Sequence, residues 1–336
     1  MSYFISGTSF RRFPIDLFYC LLYTSSETLE IPKKYPFKGE WGNSTNGIQT
    51  GDEQLPYSIE ISYLSVVERK FYYLQKPLTF NLNDIGDNKT EINLVVGMAP
   101  YGGVAIWYRG ETKSILISWE KGENTDADMN DFVPMNPSIQ LNEYCDFYIN
   151  KDPIVKENLK TNGLPSRNLF DKYMQQFTYR YLLQFEKWND SVEEWQKYNE
   201  DEIQPEFEYI EESLYDGTHD KLHDNGLLKY HEAGKPKKLA IKWHIKKTEY
   251  SAYFWFEEEK ICSIFERFYG AHPDTKTDFI IRIDAENKKY ELALFRQGLK
   301  EPQIIPEDAY QLLVFKNKFE DYRSDNYNQE RGAWIW

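Results

Sequence analysis

Phe170-Asp171-Lys172-Tyr173-Met174-Gln175-Gln176-Phe177-Thr178-Tyr179-Arg180-Tyr181-Leu182-Leu183-Gln184-Phe185-Glu186-Lys187-Trp188, running on to Val192 and Trp195, is the stretch whose reading decides the fold. Phe170, Tyr173, Phe177, Tyr181, Phe185, Trp188, Val192 and Trp195 follow one another at steps of 3, 4, 4, 4, 3, 4 and 3, the spacing that lines one side of a helix. Gly163, Pro165 and Ser166 supply a break and a capping hydroxyl before it, and Pro205 stops it. The pattern predicts a helix from about Arg167 to about Asn199, within a longer aromatic and acidic segment, Leu164 to Glu212.

On either side of this segment the chain reads as β-structure. Ile15 to Tyr23 is a buried strand, and Tyr57 to Leu64 alternates, with Tyr57, Ile59, Ile61 and Tyr63 on one face. Glu68 to Leu74, Ile92 to Val96, Val104 to Tyr108 and Ile115 to Trp119 complete an antiparallel set with short connections. Trp41, inside Gly39-Glu40-Trp41-Gly42, reads as a lid over a core edge. Asn136 to Asn150 is expected to dock on the central helix through Ile139, Leu141, Tyr144 and Phe147. Further on, Leu239, Ile241, Trp243 and Ile245 alternate as Ile59, Ile61 and Tyr63 do. Lys276-Thr277-Asp278 before Phe279 to Ile283 parallels Lys89-Thr90-Glu91 before Ile92, and Leu294 to Gly298 parallels Ile106 to Gly110.

The expected fold is therefore α+β: two mainly antiparallel β-sheet lobes related by a degenerate tandem duplication and joined by a long helical acidic segment. The divisions are residues 1–125, a connecting segment 126–232, and 233–336 ending in a short helix within Ile304 to Tyr322, with Gly332 to Trp336 pinned by tryptophans.

A length of 336 residues suits two cores, and an aromatic share of 17% argues against disorder. The net charge of −14 disfavours nucleic acid and anionic membranes and favours a basic partner. Cys20, Cys145 and Cys262 have no metal spacing and read as reduced, buried thiols of a cytoplasmic protein. Arg11-Arg12 before Phe13 to Tyr23 loosely imitates an export signal, but Pro14 and Asp16 interrupt the apolar run, and bulky Tyr19 stands where lipoprotein processing needs a small residue. Asp126, Asp128 and Asp131 lack the glycine and glutamate of a calcium loop. No phosphate loop and no nucleophile elbow occur. His219 and His223, with His231, have a zinc-like spacing without a catalytic glutamate, so no metal or cofactor is expected.

The sharpest functional feature is charge. Glu186 to Glu212 holds eleven acids against two lysines, interleaved with Trp188, Trp195, Tyr198, Phe207 and Tyr209. A solvated face is the plain reading; aromatics among like charges are what a protein-binding surface offers. Glu193, Glu194, Tyr198, Glu200, Asp201, Glu202, Glu206 and Tyr209 are the candidate partner-binding residues.

Phe13-Pro14-Ile15, Gly39-Glu40-Trp41-Gly42, Arg69-Lys70-Phe71-Tyr72-Tyr73 and Val96-Gly97-Met98-Ala99-Pro100-Tyr101-Gly102-Gly103-Val104-Ala105-Ile106-Trp107 resemble the bacterial DUF2931 family, over about Arg12 to Trp119. Many members look like envelope lipoproteins, and some relatives are encoded beside type VI secretion lipase effectors. The resemblance implies an immunity protein, a non-enzymatic inhibitor that occludes a basic, lipase-type toxin. A periplasmic site would need an export signal. The alternative is a carbohydrate-binding or carbohydrate-cleaving envelope protein using aromatic platforms and paired acids.

Overall fold

The computed structural model describes residues 3–33, 37, 39–43, 47–50, 55–80, 92–110, 112–199, 202, 204–223, 229–270, 272–284 and 289–318. The chain divides into two compact units, residues 1–174 with 216–218, and residues 175–215 with 219–336. The expected links Lys89-Thr90-Glu91 and Gly332 to Trp336 lie outside the described residues.

In the first unit β1 (Tyr3–Ser9), β4 (Gly47–Thr50), β7 (Ile92–Met98), β8 (Gly103–Arg109) and β9 (Ser114–Lys121) form a sheet in the order β4-β1-β7-β8-β9. A second sheet, β10-β6-β5-β2-β3, contains β2 (Ile15–Tyr23), β3 (Thr28–Glu30), β5 (Ser58–Ser65), β6 (Lys70–Pro77) and β10 (Glu123–Thr125). Ile5, Leu94, Val96 and Ile106 of the first sheet share one core with Leu17, Leu22, Ile59 and Ile61 of the second, so alternation buries one face of each. All pairings are antiparallel except β1 with β7.

Helices α1 (Met129–Phe132), α2 (Leu141–Lys151), α3 (Pro153–Asn162) and α4 (Leu169–Met174) follow. Asp128 caps α1 by accepting from the Asn130 amide at 2.8 Å. Helix α2 does not dock on a central helix. Its Tyr144 and Cys145 join Phe132, Leu64 and Phe71 in a smaller core on the outer side of the second sheet, and the Tyr144 hydroxyl donates to buried Asp16. Phe147 is exposed.

In the second unit β11 (Phe177–Asn189), β12 (Glu194–Gln196), β18 (Thr277–Asp284), β19 (Tyr290–Arg296) and β20 (Gln303–Ile305) run in the order β12-β11-β18-β19-β20, with β15 (His231–Ala233) also on β11. The facing sheet is β14-β13-β16-β17-β21, from β13 (Glu206–Leu214), β14 (His219–Leu222), β16 (Pro236–Ile245), β17 (Thr248–Phe256) and β21 (Tyr310–Lys318). Helix α5 (Glu258–Tyr269) links β17 to β18 and buries Ile261, Phe265 and Tyr269.

The long central helix is not formed. Only α4 is helical, and from Phe177 the chain is a strand with Phe177, Tyr179 and Tyr181 buried. A step of four is two strand repeats as well as about one helical turn, so Phe177, Tyr181 and Phe185 fit both readings. Buried Tyr179, which the helical spacing skips, belongs to the strand face. Aromatics and Thr178 favour the pleated form. The C-terminal helix is likewise replaced by β20, a 3-10 turn at Glu307–Ala309 and β21. His219 lies on β14, not on a helix.

The two units run in the same strand order. β11, β13, β14, β15, β16, β17, β18, β19, β20 and β21 take the places of β1 to β10 in turn, and β11 pairs parallel with β18 as β1 does with β7. Among the described strands β12 alone has no counterpart. Residues 10–14 join β1 to β2, whereas residues 190–205, β12 included, join β11 to β13.

Candidate partner-binding surface

Strand β11 pairs with β18 as far as Glu186 opposite Asp284; beyond it Lys187 to Asn189 pair with β12. The result is a two-stranded ribbon that continues past the sheet. Trp188 and Trp195 stand opposite each other on it, with ring centres 5.2 Å apart at 65°, an edge-to-face geometry that stabilises cross-strand pairs. Lys289 Nζ lies 5.3 Å from the Trp188 ring and the Arg282 guanidinium 5.6 Å from that of Trp195. Arg282 also holds Glu186 at 3.2 Å and Glu291 at 2.8 Å. At the tip the Ser191 amide donates to Asn189 Oδ1 at 3.0 Å, Glu193 takes a positive φ of 53°, and Val192 is 55% exposed.

The sequence-derived site residues do not share one helix face. Glu193 and Glu194 are exposed at the hairpin, and Tyr198 lies with Lys187 Nζ 5.0 Å from its ring. Glu202 pairs with Lys187, whose hydrogen bond, with the Asn199 amide, holds the carboxyl below its ordinary range. Glu206 is on β13, 2.8 Å from His244 Nε2. Tyr209, also on β13, has Lys221 Nζ 3.8 Å from its ring. Glu200 and Asp201 lie outside the described residues. Much of the acidic run is thus matched by side chains from elsewhere in the fold: Arg282 pairs with Glu186, Lys187 with Glu202 and Lys242 with Glu208, and His244 hydrogen-bonds Glu206. Asp190, Glu193 and Glu194 form no ion pair among the described residues.

Glu212, counted with that run, is instead a core residue. Its neighbours Ile210 and Leu214 point inward, and alternation carries Glu212 in with them at 2% exposure. Tyr181 Oη donates to its Oε2 at 2.5 Å, and His231 Nε2 stands 3.6 Å from its Oε1. Burial pulls the His231 pKa down, but Glu212, with the Lys229 carbonyl and Asp220, outweighs it and the net shift is upward. The folded protein therefore holds this proton more tightly than the unfolded chain. The stabilisation is full below the unfolded value and fades as pH rises through the folded one. His231→Gln should lower the melting temperature most near pH ~5.5, with the gap to wild type closing above neutrality in a pH series.

In the first unit the motifs quoted above converge. Ala99 to Gly103 form the β7–β8 turn, with positive φ at Tyr101 (60°) and Gly102 (79°), the backbone that matches hairpin twist. Tyr63 Oη donates to the carbonyls of Ala99 and Gly103 at 2.9 and 3.1 Å, and Glu68 Oε2 accepts from the Tyr101 amide at 2.7 Å. Trp41 stacks on Phe10 at 4.3 Å and meets Trp107 edge-on at 4.7 Å. Gly97 passes beneath the Trp107 ring so closely that a Cβ there would come within 2.4 Å of it. These residues shape a hairpin and an aromatic core.

Residues 25–166 match the family model of DUF2931, a protein of unknown function. The resemblance to DUF2931 holds over this stretch. The DUF2931 match runs from the β2–β3 turn to just before α4, wholly within the first unit. No curated protein and no solved structure matches the chain. Among the described residues no helix is long and apolar enough to cross a membrane.

Proposed function

We propose that the chain is a non-enzymatic binding protein, an immunity-type inhibitor that occludes a secreted antibacterial toxin, and that the β11–β12 hairpin is its main contact. The observation that carries this reading is that β12, which makes the hairpin, is the one described strand without a counterpart in the other unit. An added ribbon bearing paired tryptophans, an exposed valine and three uncompensated acids has the make-up of a contact for a basic protein. The shared strand order further supports a tandem duplication in which the second copy gained this ribbon. Its acids would speed capture and its aromatics would slow release.

The test measures binding to any secreted toxin encoded beside this gene, and a neighbourhood without one counts against the reading. Asp190→Lys, Glu193→Lys and Glu194→Lys together should lower the toxin's association rate about tenfold or more at low salt and flatten the salt dependence, with the melting temperature hardly moved. An unchanged rate in the folded variant would remove the hairpin from the interface. A glycan-array signal with no toxin binding would replace the inhibitor with the carbohydrate reading.

A further inference from the structure

On the outer side of the β10-β6-β5-β2-β3 sheet, α1 and α2 cover only the end around Leu64 and Phe71. Past that cover, alternation turns Tyr19 and Tyr23 of β2, Glu60 of β5 and Tyr73 of β6 to the same open side. All four are partly exposed. Tyr19 Oη donates to Glu60 Oε1 at 3.1 Å and Tyr23 Oη to Oε2 at 2.7 Å, so two phenols from a neighbouring strand fix the carboxylate upright. Burial and Glu60 together raise the Tyr19 pKa to about 12.

The charges on this side have one sign. Exposed Glu30 pairs across from Leu21 and exposed Glu123 across from Tyr73, adding two carboxylates to Glu60. No lysine or arginine on these five strands faces the same way: Lys70 and Lys76 of β6 alternate to the other side, and Lys33 sits over Phe18 at the covered end. Elsewhere in the protein aromatic rings already have a cation of the chain's own beside them, as Tyr209 has Lys221. Among the described residues no cation of the chain's own lies against these tyrosine rings or Glu60.

We infer that this face binds an arginine-bearing segment of a protein partner, the guanidinium pairing with Glu60 and lying against the tyrosine rings. A flat cation is the shape that engages a fixed carboxylate and an aromatic face together. The site belongs to the first unit and does not depend on the hairpin.

The probe is the peptide Gly-Arg-Gly-Arg-Gly, titrated calorimetrically into the full chain at about 150 mM salt, beside its citrulline counterpart. The arginine peptide binds and the citrulline peptide does not. Glu60→Gln weakens binding about tenfold or more, whereas Glu157→Gln on α3, which removes the same charge, leaves it unchanged. Tyr23→Phe, which keeps the ring and frees the carboxylate, weakens it by a smaller factor and guards against misfolding of the first variant. Equal binding of the two peptides, or equal loss in Glu60→Gln and Glu157→Gln, overturns the site. So does binding that survives Glu60→Gln and is lost in Glu193→Lys with Glu194→Lys.

Discussion

Replacing Trp107 by alanine is expected to destabilise the first unit by about 3–5 kcal/mol, the range for removing a large buried aromatic, and to reduce the folded yield. Trp107 is fully buried, and the groups around it cannot close the gap. Gly97 lies against its ring with no side chain to extend, and Trp41 is held by its own stack on Phe10. The indole Nε1 donates to the Asp216 carbonyl at 3.0 Å, so truncation also removes a buried hydrogen bond. Trp107→Phe keeps most of the volume and should lose less than half as much. Urea titrations of the two variants measure the difference, and equal, small losses would show that the cluster can repack.

The second large effect is a pH dependence centred on Asp16. Burial raises its carboxyl from 3.8 to about 7, against the smaller opposing pull of the Tyr144 hydroxyl and of Lys33. Because the folded value lies above the unfolded one, the native state holds this proton more tightly between the two. Stability is therefore greatest below about pH 4 on this account and falls as pH rises toward 7. A shift from 3.8 to about 7 corresponds to about 4 kcal/mol. Asp16→Asn still accepts from Tyr144 and does not titrate, so its stability should gain on wild type between pH ~4 and ~7. A parallel pair of pH–stability curves would place the burden on other acids.

Strands that alternate between turn signals were readable from the residues alone. Tyr57 to Leu64, Ile92 to Val96 and Leu239 to Ile245 lie inside β5, β7 and β16 or within a residue of them. The first strand escaped because Ser6, Gly7 and Thr8 are small or polar, and they are buried only because β1 lies between β4 and β7. Leu312-Leu313-Val314-Phe315 has no clean period, so its strand state rests on pairing with β17. The acidic segment misled for a different reason. A count of charges along the chain cannot see that Arg282, Lys242 and His244 arrive from other strands, or that Glu212 has turned inward. The hairpin was visible only as composition; that β12 has no strand counterpart in the first unit emerged only from comparing two strand orders.

The outermost strands carry a consequence for how this protein resists unwanted assembly. β3, β10, β12, β15 and β20 are three residues long, and β4 and β14 are four. Such stubs present few unpaired amides and carbonyls, so another chain finds almost nothing to zip onto. Among the described residues two full-length borders remain, β9 with eight residues and β21 with nine. β9 is bent by a bulge where Ile106 gives way to Trp107, and β21 ends in Lys316, Asn317 and Lys318. β9 and β21 are the long outermost strands open to backbone templating, whether by a misfolded copy or by a ligand strand, and each already carries a deterrent.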